Sequence, residues 1–327
     1  MNYFNTGPGT GFTQPLQLGI LDLCKRAPGE KAGTVLHNTL ALAEQAEKWG
    51  YVRYWVGEHH TPDSAQASPE IMIGLIAART SSLKVGSGGV LLRYYSPLKV
   101  AESFLLLEAL YPGRVELGVC KGPGVTSPQQ ALALASGNII ELTEEAYERK
   151  IQDLARYYRE ANDGSQVGTS NVPQAYPLEI IPPPLWVLGG SGKAMRLAAV
   201  CGSPYAHTIF TSPAANRAEE DLSEYYGQFT RQNPLSNPRS ILALSIVCLE
   251  SQERAEQRHR EMLEKGCLPS NIVGSPDYCA EQLVALAHKY QTSELLITTW
   301  LGNWQERLTV YGLLAEACHA VPEPVLN

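Results

Sequence analysis

Eight short apolar runs, most of them followed by a stretch of helical period, recur along this chain, and that alternation restricts its fold more than any other feature. The runs lie at 16–22, 52–57, 83–92, 114–120, 184–189, 204–210, 240–249 and 294–300. They are rich in Val, Ile and Leu, as strands buried on both faces are. Between them, Val35, Leu36, Leu40, Ala43, Ala46 and Trp49 keep a three/four spacing over 34–49, and 97–110, 141–160, 252–265 and 279–290 look similar. Strand then helix, repeated, predicts a parallel sheet. Eight such units either close into a barrel or split into two open sheets. No Pro/Gly/Ser linker divides the 327 residues near their middle, so the expectation is one α/β domain, a (β/α)8 TIM barrel over 16–320 with an aperiodic N-terminal arm at 1–15. The stretches 122–140 and 162–183 are too long for ordinary connections and predict insertions around the fourth helix.

Charge and cysteine usage narrow the partners. Lys+Arg total 26 against 33 for Asp+Glu, a formal net charge of −7, and no basic run with interleaved aromatics offsets it, so nucleic acid is excluded as an expected partner. The start MNYFNTGPGTGFTQ lacks the cationic head and apolar stretch of a secretory leader, and no window is apolar for long enough to cross a bilayer. Seven cysteines, at 24, 120, 201, 248, 267, 279 and 318, form no Cys-x-x-Cys pair and sit mostly inside apolar segments. The expectation is a reduced, cytoplasmic protein with no bound metal.

In a βα barrel the chemistry lies just beyond the C-terminal ends of the strands, and four clusters stand there. Glu58-His59-His60 follows the second run; neighbouring residues of an extended segment point to opposite sides, so at most one histidine faces the barrel axis, either as a structural imidazole or as a proton carrier. Ser87-Gly88-Gly89 interrupts the third run, through a bulge or through a close approach of backbone to a flat ligand. Cys120-Lys121-Gly122-Pro123-Gly124 brings a thiol and a cation to the end of the fourth run, where an ammonium can reach an anion. Gly189-Gly190-Ser191-Gly192-Lys193-Ala194 forms a turn before a helix expected at Met195–Val200, whose free N–H groups can hold a phosphate. A Walker A loop is excluded, because Val187 occupies its first glycine position and Ala194 stands where Ser or Thr should bind magnesium.

Taken together and in order, WGYVRYWVGEHH (49–60), LKVGSGGVLLRYYSPLKVAE (83–102) and RVELGVCKGPG (114–124) resemble segments of the bacterial luciferase-like, flavin-dependent monooxygenases, and the similarity runs over roughly 16–320. The resemblance implies that His59 is the catalytic histidine, active in proton transfer beside the flavin, and that Cys120 lies near flavin C4a. It implies a non-proline cis peptide between Gly88 and Gly89 against the flavin ring, a phosphate bound by Lys121 and Ser191, and further flavin contacts from Glu58, Leu188, Gly190 and Gly192. Lys121 replaces an arginine of that family, which removes a bidentate fork.

The activity so implied is oxidation of a small organic substrate by O2 and reduced FMN through a C4a-peroxyflavin, with FMNH2 supplied by a separate flavin reductase and the chain acting as a homodimer. Two other outcomes stay open within the resemblance: hydride transfer with the deazaflavin F420, and a non-catalytic flavin-binding relative. Tyr94-Tyr95 and Trp300, expected around the mouth, predict a largely apolar substrate pocket, and nothing identifies a pocket for a long-chain aldehyde.

Overall fold

A computed structural model describes residues 15–122, 124–163, 173–211, 217–229 and 237–320. Almost all of the expected arm and part of the second insertion lie outside these residues. Eight strands close the barrel: β1 (Gln17–Asp22), β2 (Arg53–Val56), β3 (Lys84–Ser87), β5 (Val115–Cys120), β6 (Leu185–Gly189), β7 (Tyr205–Thr208), β8 (Ser240–Cys248) and β10 (Glu294–Thr298). Every ladder between neighbours is parallel, and the β8–β10 ladder, with Leu242 opposite Leu295, completes the circle. The fold is a (β/α)8 TIM barrel.

Two short strands lie off this circle. The apolar run 83–92 is two strands, because Gly88-Gly89 ends β3 and the chain resumes as β4 (Val90–Leu91) paired to the far end of β5. β9 (Ile272–Gly274) extends the sheet beside the last turnings of β8 and was not expected.

The helices form the outer ring: α1 (Ala32–Lys48), α2 (Pro69–Ala77), α3 (Pro97–Leu110), α5 (Glu144–Asp163), α6 (Gly192–Val200), α7 (Ala218–Gln228), α8 (Gln252–Glu264), α9 (Pro276–Tyr290) and α10 (Trp304–Ala320). The five helices anticipated from periodicity are present with ends shifted by a few residues, and α6 starts three residues earlier than Met195. α2 escaped the periodic signal because PEIMIGLIA is apolar on all sides, with Ile73 and Ile76 buried and Ile71 and Leu75 exposed. The first insertion carries α4 (Pro128–Leu134) and a 3-10 turn at Ile139–Leu142, which cover Leu91, Tyr94 and Cys120 beside the mouth.

Alternation along the strands decides which residues face the axis. Leu21, Trp55, Trp186, Leu188, Ala206, Ile241, Ala243 and Leu296 fill the interior, while their chain neighbours pack under the helices. The lower interior holds a buried ion pair: Arg53 Nε and Nη2 donate to Glu116 at 2.6 and 3.0 Å, Trp55 Nε1 donates to the same carboxylate at 2.8 Å, and Arg53 also pairs with Glu294. Both charges are satisfied by this geometry, as removal from water requires. The interior below the mouth is therefore closed.

Candidate active site at the barrel mouth

A cavity of about 360 Å³ opens above this plug, lined by the ends of β1, β2, β3, β5, β6 and β7, by β4 and by the first turn of α5. Its position follows from the strand register. Arg53 and Trp55 face the axis, so Gly57 and His59 continue that side and His60 turns away, while Glu58 reaches the cavity wall from its edge. His59 lines the cavity and is mostly buried, with no hydrogen-bond partner for Nδ1. Burial, helped by the charge of Lys25 and by His60 and partly offset by Asp63, lowers its pKa to about 4, so the imidazole is neutral at pH 7.

His60 has a different task. Its Nε2 meets Glu58 Oε1 at 2.9 Å, Tyr95 donates its hydroxyl to the same oxygen at 2.6 Å, and the Leu91 backbone N–H donates to Glu58 Oε2 at 2.9 Å. Glu58 is buried and joins the end of β2 to β4, holding the ledge on which Gly88 and Gly89 sit. The Gly88-Gly89 peptide is cis. Both leave little room for a side chain: a Cβ on Gly88 would lie 2.5 Å from Leu21 Cδ1 and displace that side chain, and one on Gly89 would lie 2.8 Å from the Gly118 carbonyl oxygen, which cannot move aside. Against backbone, packing by itself requires glycine at 89, whereas at 88 the Leu21 side chain would have to give way. Both also line the cavity.

Cys120 ends β5 on the axis side, and its thiol points to the Gly89 carbonyl oxygen at 3.5 Å. Burial, with Glu58 nearby, pushes the thiol pKa up to about 12, so it remains protonated at neutral pH. The next residue, Lys121, reaches the rim and pairs through Nζ with Glu144 Oε1 at 2.5 Å.

Opposite lies the turn after β6. Tyr205 donates its hydroxyl to the Gly189 carbonyl at 2.8 Å, fixing the turn from behind, and a Cβ on Gly190 would stand 2.5 Å from the Thr208 carbonyl oxygen. Ser191 is the N-cap of α6 and lines the cavity, and its side chain makes no capping bond, so the positive end of the helix starts at the cavity wall without that cap. Leu188, Gly190 and Ser191 line the wall, whereas Gly192 opens the helix beside Asp221 and does not.

The aromatic residues expected at the mouth are elsewhere. Tyr95 is turned toward Glu58, Tyr94 is buried with Leu91 and Ala135, and Trp300 stacks edge-on behind Phe210 at 5.9 Å, bordering a separate small cavity of about 50 Å³. Phe210 and Tyr147 take their place, with Leu23, Leu91 and Leu197 as apolar lining. Sequence reading also missed Glu144, Tyr147 and Glu148, which α5 presents at i, i+3 and i+4, and Thr208 at the end of β7. Tyr147 is buried with a hydroxyl that has no partner. The three-four spacing was visible, but a helix face points to a cavity only once its packing is known. Among the described residues, no group of His, Cys, Asp and Glu is arranged to hold a metal, and no helix is long and apolar enough to cross a membrane.

Residues 16–267 match the sequence family described as luciferase-like monooxygenase. The chain belongs to that family. Within it, this luciferase-like chain is 34% identical to the uncharacterized protein YceB of Bacillus subtilis, with 92% of this chain and 99% of that protein covered. It is 30% identical to the N-acetyl-S-alkylcysteine monooxygenase of the same organism, covering 92% and 98%. The crystal structure of apo-MsnO8 superimposes on this luciferase-like barrel with a TM-score of 0.79 at 31% identity, over 94% of this chain and 99% of that one.

Proposed function

We propose that this protein is a monooxygenase that uses reduced FMN, delivered by a separate flavin reductase, and O2 to oxidise a small organic molecule. One observation carries the reading: a single cavity joins a buried, unpartnered His59 Nδ1 to an uncapped helix start flanked by a lysine. The second half suits a phosphate and the first half suits proton transfer. Lys121, Ser191 and Gly190 would hold the phosphate, Gly88 and Gly89 would give a ring access to backbone, and Leu188 and Cys120 would border it. When bound, reduced FMN supplies the electrons that activate O2. His59, neutral down to about pH 4, accepts or returns a proton at Nδ1. Cys120 stays a thiol and contributes shape and a weak donor, and the apolar wall of Leu23, Leu91, Leu197 and Phe210 excludes water and takes the substrate.

Anaerobic titration with FMN, FMNH2 and F420, followed by oxygen-18 analysis of the product, tests this reading. Preferential FMNH2 binding and label in the product support it; binding of F420 alone, or flavin binding without turnover on any substrate offered, would replace it with hydride transfer or with a non-catalytic flavin carrier. We further infer a homodimer. Ile71 and Leu75 on α2 and Leu106 and Leu110 on the adjoining α3 are exposed in i, i+4 pairs, an apolar stripe suited to a second copy of the chain. Light scattering of wild type and Leu110→Glu checks it: a monomer in both would refute it.

A further inference from the structure

The cation at the phosphate seat is already occupied by a residue of the chain. Lys121 Nζ lies 2.5 Å from Glu144 Oε1, and both side chains line the cavity while 40% of each remains exposed. They come from different elements, the end of β5 and the first residue of α5, so the fold and not chain proximity brings them together. A half-exposed pair of this kind costs little to open. A carboxylate released from Lys121 still has a favourable place, because the start of α5 attracts negative charge and Lys193 faces the same cavity. Lysine sharpens the conflict. Its compact ammonium has no second planar edge with which to hold a carboxylate and a phosphate side by side, as a guanidinium can.

We propose that Glu144 is an internal competitor for the phosphate seat, so that a phosphate-bearing ligand must displace it from Lys121 and Glu144 sets how strongly the site prefers FMN to riboflavin. The inference rests on the reading of this cavity as a flavin site. Its consequence is weak retention and ready exchange, which suits a flavin that arrives reduced and departs oxidised.

Glu144→Gln keeps the size of the side chain and removes its charge. Binding of FMN and of riboflavin, read by quenching of flavin fluorescence, is measured for wild type, Glu144→Gln, Lys121→Ala and the double variant. Freeing Lys121 from its competing carboxylate at a water-reached site should tighten FMN about 5- to 30-fold and leave riboflavin within about twofold, and most of the gain should vanish once Lys121 is gone. Unchanged or weaker FMN binding, an equal gain for riboflavin, or a gain of the same size without Lys121 overturns the proposal. A second arm uses inorganic phosphate alone: the phosphate-dependent rise in Tm should be larger for Glu144→Gln than for wild type. If the wild type binds neither flavin, the flavin reading fails, and this arm still decides the competitor, since equal rises in the two proteins refute it.

Discussion

Lowering the pH from 7 to 5 should destabilise the protein by about 2 kcal/mol through His59 alone. The imidazole is held at a pKa of about 4 in the folded chain against 6.5 for an ordinary histidine, chiefly because burial strips water from it and no partner bonds Nδ1. The depressed value means that the folded state prefers the neutral form. Its contribution is therefore complete above pH 6.5 and is lost as the pH falls toward 4, the window in which the unfolded chain binds a proton that the folded chain refuses. At pH 5 the unfolded imidazole lies about 1.5 units below its own pKa, and at about 1.4 kcal/mol per unit the loss is about 2 kcal/mol. His207, whose pKa burial also lowers to about 4, adds a loss of the same sign, so the measurement must be a difference.

Urea denaturation of wild type and His59→Gln at pH 7 and pH 5 isolates the effect: the drop in unfolding free energy should be smaller in the variant by about 2 kcal/mol. Equal drops would show that the imidazole is not kept neutral by the fold, and the argument for a base at Nδ1 would go with it. The same variant should slow turnover by roughly 10²–10⁴-fold at pH 7 with chemically reduced FMN supplied, while His60→Ala, which touches Glu58 and not the cavity, should cost much less.

Three further outcomes follow from the geometry. Lys121→Ala should weaken FMN by about tenfold and riboflavin hardly at all in a fluorescence titration, because it removes the cation and leaves the ring contacts; equal losses would move the phosphate elsewhere. Gly89→Ala forces a Cβ to within 2.8 Å of the Gly118 carbonyl oxygen and should cost about 1–3 kcal/mol of stability, seen as a lower midpoint in urea, whether or not flavin is present. Arg53→Met leaves Glu116 buried at the barrel floor with its charge uncompensated and should cost about 3–5 kcal/mol; Arg53→Met with Glu116→Leu should recover much of that loss in the same assay.

The barrel was readable because its strands are buried on both faces. Runs such as SILALSIVCL at 240–249 are continuous for that reason, and the absence of a linker dividing the chain favours one barrel over two open sheets. Period-two alternation in the sequence permitted only one of His59 and His60 to face the axis and the resemblance picked His59; the phase itself, set by the inward Arg53 and Trp55, came from the fold. Cys120 at the end of its run and Ser191 in the turn after the next run stood out by position, whereas Leu188 was named only through the resemblance.

Other features depend on what lies across from a residue, and no local pattern encodes that. Gly88 and Gly89 could have marked a bulge or a ligand, and it is Leu21 and the Gly118 carbonyl, distant in the chain, that leave little room for a side chain. Tyr94, Tyr95 and Trp300 were apolar enough for a pocket but were claimed by Ala135, Glu58 and Phe210, whereas Tyr147 entered the wall because the packing of α5 turns that face inward. Lys121 read as a free cation until the fold placed Glu144 beside it. The sequence by itself determined which segments must be buried and which clusters follow the strand ends, because burial and alternation are properties of single elements. The tertiary structure alone decided which of those residues meet, because a contact between elements depends on the relative rotation of two surfaces that each leave undetermined.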